Sequence, residues 1–523
     1  MLTVGGVLHD AATEWPEKTF LYFGDEAISY REVDERSDRV AAGLLQAGLK
    51  PGHRLALLAW NQPEWLYTFF GAAKAGIGVV ALNVRYRKAE LEYMINNAEA
   101  KAFIGIERTP DFDFIEFFDQ NRDLFPTLQH SWFIGDGADE EHSFQRLIRT
   151  IPDPEMLGDA ERHVGPEDLV ILIYTSGTTG RPKGAMITHR SILASARAAV
   201  EHFKIERDDV FAGHLPMNHV GGVTCTVMEA LWARAAVVLV PSFRPDTVLE
   251  AIEKRRVTVL GGVPTMFTMM FAWEGFPSRD VSSVRLTVAG GSNVEPQLAR
   301  ELARRFSGCE VANLYGLSET SGACVLTRLG DGVEKVAKSI GVAIGDFQAR
   351  IVDDDGNELP EGQVGELMIG GACVAKGYYG MEEETRQAFP SPGWVRTGDM
   401  AYVDSDGYLY VMGRKKEMYI QGGFNVYPVE VENVLTSHPG VLVAAGIGVP
   451  DPVFGEVGRY YIIPKPGIGV DEEELIGFCR ERLADFKVPK QFVFVRELPL
   501  TPAGKVHKAL LKEQFLKEHS GGA

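Results

Sequence analysis

The chain is 523 residues long, too many for a single compact core, and its 45% hydrophobic and 24% charged residues are those of a folded globular protein. Its formal net charge of −19 speaks against nucleic acid as a partner, because a phosphate backbone needs a broad basic footprint. A small phosphorylated ligand needs only one locally basic loop. Cys225, Cys309, Cys324, Cys373 and Cys479 are scattered without CxxC or Cys/His metal spacing, which suits a reducing compartment.

The N-terminal Met1 to Asp10 lacks the basic start of a signal peptide, and the final His519 to Ala523 carries no peroxisomal or lipidation signal. The longest apolar stretch, near Gly221 to Val240, contains Glu229 and Arg234 and is not expected to span a bilayer. A cytoplasmic protein is expected, with no integral membrane segment; peripheral contact with a membrane stays open.

In chain order, Ser29-Tyr-Arg-Glu32 reads as a capping box ahead of Val33, Val40, Leu44 and Leu45 at helical spacing, and Gly48 and Pro51 stop that helix. A strand is predicted at Arg54–Leu58, a helix from Glu64 to Ala75, and a strand at Val79–Leu82. Leu169–Tyr174 has the β-branched, wholly apolar look of a buried parallel strand, and Ser191–Val200 looks helical. Further strands are predicted at Ala236–Val240, Val257–Leu260 and Leu286–Ala289. This alternation predicts α/β architecture with mostly parallel sheets through about residue 325.

Between the buried strand and the helix lies Tyr174-Thr-Ser-Gly-Thr-Thr-Gly-Arg-Pro-Lys-Gly184. Gly177, Gly180 and Gly184 permit turns that a Cβ would forbid. Backbone N–H groups and the hydroxyls of Thr175, Ser176, Thr178 and Thr179 can then wrap phosphate oxygens, with Lys183 adding charge. The spacing is not that of a Walker motif, and an ordinary Ser/Thr/Gly linker is the alternative.

Asn313-Leu-Tyr-Gly-Leu-Ser-Glu-Thr320 follows, where Glu319 suits Mg²⁺ and Thr320 can donate to a phosphate, or where a helix is simply capped. From about Ile340 short strands separated by turns predict an antiparallel β unit, at Ala349–Val352, Gly365–Ile369 and Gly407–Val411. Thr397-Gly-Asp399 is expected at a tight turn, where the carboxylate could accept both ribose hydroxyls or do nothing. Gly413-Arg-Lys-Lys416 precedes a further helix–strand alternation, predicting a small separate domain. Gly422 and Gly423, and Lys505 within Leu500-Thr-Pro-Ala-Gly-Lys-Val-His-Lys508, are individually as compatible with a turn and an exposed lysine as with function.

These five blocks, in this order, resemble the adenylate-forming superfamily, which takes in acyl-CoA synthetases and the AMP-dependent synthetase and ligase family, over essentially the whole chain. The resemblance implies a large N-terminal domain (1–413) of α/β subdomains plus the antiparallel β unit. A small mobile α+β C-terminal domain (414–523) would follow. It implies an acid–thiol ligase that uses ATP, Mg²⁺ and CoA: a carboxylate attacks the α-phosphorus of ATP, pyrophosphate leaves, and CoA then displaces AMP. Carried over residue by residue, Thr175, Ser176, Gly177, Thr178, Thr179, Gly180, Lys183 and Thr320 would hold phosphates and Glu319 the metal. Gly291, Ser292, Asn313 and Tyr315 would form the adenine slot, Gly316 would also border the nucleotide, and Asp399 and Arg414 would hold the ribose. Lys505 would bridge carboxylate and α-phosphate, with Glu319, Thr179 and His219 as further catalytic residues. Lys416 would be the hinge, where many relatives have Asp, about which the small domain swings. Gly422 and Gly423 would leave room for the pantetheine arm.

Leu215-Pro-Met-Asn-His-Val-Gly-Gly222 resembles the segment that begins the acyl pocket. With no Asp there to bind a substrate ammonium, an amino acid is disfavoured. His219, Val220, Gly221, Thr224, Val263, Gly290, Gly316 and Leu317 form the expected lining, small and apolar, and its several glycines suggest a deep pocket. The expectation is a medium-to-long-chain fatty or related hydrophobic acid. An aryl or alicyclic acid, a ligase that loads a carrier protein, and an idle ligand-binding homologue are the alternatives. A homodimer is left open.

Overall fold

The computed structural model describes residues 2–175, 181–292, 294–500 and 506–519. The chain forms two compact units, one of Met1–Val294, Leu298–Ala349 and Ile369–Val395, the other of Glu295–Gln297, Arg350–Met368 and Arg396–Ala523. Among the described residues no helix is long and apolar enough to cross a membrane.

In the first unit, Ser29 Oγ accepts from Glu32 N at 3.2 Å while Glu32 Oε2 accepts from Ser29 N at 2.8 Å, and helix Tyr30–Gln46 starts there. It packs on helix Pro63–Lys74 so closely that a Cβ on Gly71 would stand 2.7 Å from Ser37 O. Lys74, buried between them, meets Asp34 Oδ1 at 2.6 Å and also Asp38, so its charge is matched where water is excluded.

Two sheets organise this unit. One has six strands in the order Lys183–Thr188, Leu169–Thr175, Gly78–Leu82, Arg54–Leu58, Ala102–Ile106, His130–Ile134. All its pairings are parallel except the first. The other has nine strands, parallel through the middle and antiparallel at both edges. Its strands Val259–Gly262, Leu286–Gly290 and Glu310–Leu317 lie side by side. They bring the ends of three segments picked out in the sequence together, as a parallel sheet does with its strand ends.

A four-stranded sheet runs Gln348–Val352, Gly365–Gly370, Trp394–Val403, Leu409–Arg414, its last two strands antiparallel. In the second unit a further sheet pairs Phe424–Val426, Tyr419–Gln421, Gly455–Pro464 and Val441–Asp451, with Gln491–Phe494 added parallel to Gly455–Pro464. Its core is Val426, Val431, Leu435, Tyr460, Ile462 and Leu475, shared with helices Pro428–Thr436 and Glu472–Arg480.

Candidate active site

The strands on either side of the glycine- and hydroxyl-rich segment pair antiparallel. Strand Leu169–Thr175 is buried through Val170, Ile171 and Leu172 and pairs parallel with Gly78–Leu82, as expected. The chain then returns antiparallel as Lys183–Thr188 before helix His189–Phe203 begins, capped by Thr188. The helix expected over Ser191–Val200 is thus present, with one strand between it and the segment. The returning strand is stabilised on its other side by Lys376 to Tyr379, which hydrogen-bond Met186 and Gly184. Gly184 has a different use from the one expected of it. It lies in the strand under the Tyr174 ring, where a Cβ would come within 3.2 Å of the ring carbon Cζ. Ser176, Gly177, Thr178, Thr179, Gly180 and Lys505 lie outside the described residues. Thr175 Oγ1 stands 3.4 Å from Lys183 O at the neck of the hairpin.

At that neck, Lys183 Nζ lies 5.1 Å from the centre of the Tyr378 ring, and the Tyr378 hydroxyl donates to Glu319 Oε1 at 2.7 Å. One phenol thus holds an ammonium on its face and a carboxylate at its tip, keeping the two charges apart. Tyr378 was not identified in the sequence, although Lys376-Gly-Tyr-Tyr-Gly380 has the glycine punctuation of a shaped loop. Glu319 sits on the single 3₁₀ turn Ser318–Thr320 that ends strand Glu310–Leu317, and its backbone carbonyl accepts from Ala375 N. Tyr378 engages one carboxylate oxygen; the group is a hard oxygen donor of the kind Mg²⁺ takes.

Two residues of this block do something other than expected. Thr320 is fully buried, its hydroxyl accepting from Leu317 N at 2.9 Å and within 2.9 Å of Gly322 O, so it shapes the turn instead of facing a phosphate. Asn313 donates its side-chain amide to Val336 O and Ser339 O at 3.2 and 3.0 Å, so it ties down the strand instead of bordering adenine. Tyr315 remains half-buried beside it, Gly291 turns the chain at φ +79°, and Ser292 is exposed.

The expected acyl lining is split. His219 caps the start of a helix, its Nδ1 accepting from Gly221 N at 3.1 Å, and Val220 is buried behind it. Val263 and Leu317 are half-buried. Gly290 and Gly316 do not deepen a pocket: a Cβ would meet Leu314 O at 2.6 Å in the first and Gly322 O at 2.1 Å in the second. Their smallness serves the close approach of neighbouring strands. Gly221 is the exception, with only ordinary contacts to His219 and Leu215.

In the second unit, Asp399 and Arg414 face each other across two antiparallel strands, with Arg414 Nε 2.8 Å from Asp399 Oδ1. Thr397-Gly-Asp399 is therefore strand and not the tight turn expected. Gly398 takes φ +73°, which requires glycine, and its carbonyl accepts from Lys415 N. Thr397 Oγ1 donates to Leu367 O and accepts from Asp399 N, fixing the carboxylate. Lys416 lies in the exposed turn that follows Arg414. Gly422 and Gly423, at φ +60° and +87°, are the two central residues of a hairpin between Tyr419–Gln421 and Phe424–Val426, a turn that demands positive φ at both positions.

Near the start of helix Lys508–His519, Lys508 is half-buried with Nζ 2.8 Å from both Glu417 Oε2 and Glu432 Oε1. Burial lowers its pKa, but the two carboxylates outweigh that and hold it above the usual value. Leu500 pairs with Val506, and His507 N donates to Pro499 O.

With this geometry in hand, the family model described as AMP-binding enzyme matches residues 8–379, and that described as AMP-binding enzyme C-terminal domain matches 430–505. Feruloyl-CoA synthase of an Amycolatopsis species is 35% identical over 504 residues, covering 96% of each chain. The 3-[(3aS,4S,7aS)-7a-methyl-1,5-dioxo-octahydro-1H-inden-4-yl]propanoyl:CoA ligase of Mycobacterium tuberculosis is 34% identical over 517 residues, covering 98% of each. Among solved structures, the anthranilate CoA ligase AuaEII in complex with anthranoyl-AMP superposes with a TM-score of 0.90 at 28% identity, covering 99% of this chain and 98% of that one. The chain belongs to the adenylate-forming superfamily, as an AMP-binding enzyme of the acyl-CoA synthetase and ligase family.

Proposed function

We propose that the protein joins a hydrophobic carboxylic acid to coenzyme A, consuming ATP and releasing AMP and pyrophosphate. The observation that supports this most is the gathering of Lys183 and Glu319 around Tyr378, a pair of opposite charges held apart at the neck of the loop. A carboxylate resists thiols because oxide is a poor leaving group, and adenylation replaces it with AMP. First, a carboxylate oxygen attacks the α-phosphorus and the bond from that phosphorus to pyrophosphate breaks. Then the CoA sulfur, its proton lost, attacks the carbonyl carbon and the bond to AMP breaks.

In this reading Lys183 and residues 175–180 hold the departing phosphates, where positioning and charge neutralisation supply most of the rate. Glu319 would hold Mg²⁺, which would neutralise charge on the phosphate oxygens. Gly291, Ser292 and Tyr315 border adenine, and Asp399, steadied by Arg414, takes the ribose. Lys505 bridges carboxylate and α-phosphate, where a point charge favours the transition state over the ground state. Lys416 is the hinge between domains 1–413 and 414–523, and Gly422 and Gly423 border the pantetheine arm.

The small apolar lining of Val220, Gly221, Val263 and Leu317 favours a medium-to-long acyl chain. An aryl or alicyclic acid is the second reading, favoured by the names of the two relatives. Pyrophosphate release across fatty, aromatic, alicyclic and amino acids, each with and without CoA, tests both. Acid-dependent release that accelerates with CoA is expected. Release indifferent to CoA would favour carrier loading, and no release with any acid would favour an idle homologue.

A further inference from the structure

The chain that carries Lys183 leans on a helix that lies outside every motif. Helix Lys88–Asn97 starts where Glu90 Oε2 accepts from Arg87 N at 2.9 Å. Its Leu91, Met94 and Ile95 are buried in one core with Val80, Leu82 and Leu172 of the six-stranded sheet, which fixes the helix to those strands. Tyr93 and Asn97 are four residues apart and so share a face. From that face the Tyr93 hydroxyl donates to Pro182 O at 2.9 Å, and Asn97 Oδ1 accepts from the Tyr174 hydroxyl at 2.6 Å. The Tyr93 and Tyr174 rings meet edge to face, their centroids 6.3 Å apart.

These two hydrogen bonds hold the chain on both sides of the glycine- and hydroxyl-rich segment. Tyr174 pairs with Gly184, and Thr175 with Lys183, in the antiparallel strands. The peptide that joins Pro182 to Lys183 is held through its carbonyl by a side chain 89 positions away. Lys183 Nζ lies 5.1 Å from the centre of the Tyr378 ring, so Tyr93 fixes the backbone where the lysine begins and Tyr378 the ammonium where it ends. Packing against Tyr174 needs only the ring of Tyr93. The hydroxyl adds a directed bond, and burial raises its pKa above the usual phenol value, so it keeps the proton that it donates.

We propose that Tyr93 is a positioning residue for Lys183: by holding the Pro182 carbonyl it sets the lysine in place for the phosphates of ATP before ATP arrives. This rests on the ligase reading above, in which Lys183 holds the departing phosphates, and extends that grip to a helix about 90 residues earlier in the chain. A group placed in advance spares the ligand the cost of ordering it, and a small misplacement far from the chemistry is felt at the reacting atoms. The effect therefore belongs to ATP and pyrophosphate, and not to the acid or to CoA.

The test uses the full-length enzyme, ATP with Mg²⁺ as the probe, and Tyr93→Phe, which keeps the ring and loses the donor. Calorimetry should show ATP binding about 3- to 10-fold weaker than in the wild type, the worth of one net hydrogen bond. With the best acid of the panel above, KM for ATP should rise by the same factor. KM for the acid, and thioester formation from a supplied acyl-adenylate, should stay within about 2-fold. In a Lys183→Met background, Tyr93→Phe should weaken ATP binding no further, because the hydroxyl acts through that lysine. Unchanged ATP binding in Tyr93→Phe overturns the proposal, even if the thermal midpoint falls, since the hydroxyl would then serve only the scaffold. A loss additive with Lys183→Met, or one that falls equally on both half-reactions, overturns it too. If ATP binding weakens as expected but no acid gives pyrophosphate release, the ligase reading fails and the positioning role stands. A wild type that binds no ATP overturns both.

Discussion

Charge is handled in opposite ways in two parts of the molecule. At the neck of the hairpin, Lys183 and Glu319 are kept from pairing by the Tyr378 ring and hydroxyl between them. In the second unit, Lys508 is in direct contact with Glu417 and Glu432. Charges held apart keep most of their field for a ligand, whereas charges in contact have already neutralised each other. The first arrangement suits chemistry on phosphates and the second suits holding a scaffold. The same residue types therefore predict different consequences when removed.

The largest expected effect belongs to the lysine proposed to bridge carboxylate and α-phosphate. Lys505→Ala should lower adenylation by 100-fold or more while sparing thioester formation from a supplied acyl-adenylate, measured as two separate half-reactions. Equal loss in both would remove the division of labour proposed for Lys505. Glu319→Gln should follow, at about 100-fold in pyrophosphate release with the Mg²⁺ requirement moved to higher concentration, against at most about 10-fold for Tyr378→Phe, which loses one hydrogen bond. The thermal midpoint should stay close to wild type in both. A large drop in midpoint for Glu319→Gln would place that residue with the scaffold.

Lys508→Met turns the comparison round. Two half-buried carboxylates lose their cation, and the loss of these charged contacts should cost about 1–3 kcal/mol. Urea unfolding should reveal it in the transition of the second unit, and an unchanged transition would show the network to be dispensable. The smallest effect concerns pH. Glu229 has a folded-state pKa raised above its unfolded value, so its favourable contribution is complete below about pH 4, near the unfolded carboxyl value. That contribution is lost as pH rises toward the folded value. Glu229→Gln should therefore melt higher than wild type at pH 7.5, with the gain vanishing near pH 4. A gain that is the same at both pH values would mean that Glu229 is not held neutral.

Much of the scaffold was legible because it is local. The capping box at Ser29 and Glu32 lies within four residues, and strand Arg54–Leu58 is apolar from Leu55 onward. The motifs that carry family membership are equally local. What escaped depends on partners distant in sequence. Strand Lys183–Thr188 contains Gly184 and Ala185, poor strand formers, and exists because it is paired on both sides. Gly290 and Gly316 look like room for a ligand in one dimension, and only their neighbours Leu314 and Gly322 show that they make room for backbone. Thr320 and Asn313 have the chemistry of ligand contacts, but that chemistry is spent on turns and strands nearby. Tyr378 carries no motif of its own. Its place follows from the chain returning it to Glu319 across a separation of 59 positions.

The neck at Leu500 and Val506 has a consequence for movement. Val506 is the immediate neighbour of Lys505, and three residues further on Lys508 is anchored by two carboxylates. Consecutive Cα atoms are about 3.8 Å apart, so Lys505 is leashed to within one link of a fixed point and about 10 Å of an anchored one. A tether of that length cannot carry an ammonium tens of ångströms. Whatever distance Lys505 travels in a catalytic cycle, the body that holds its leash must travel with it.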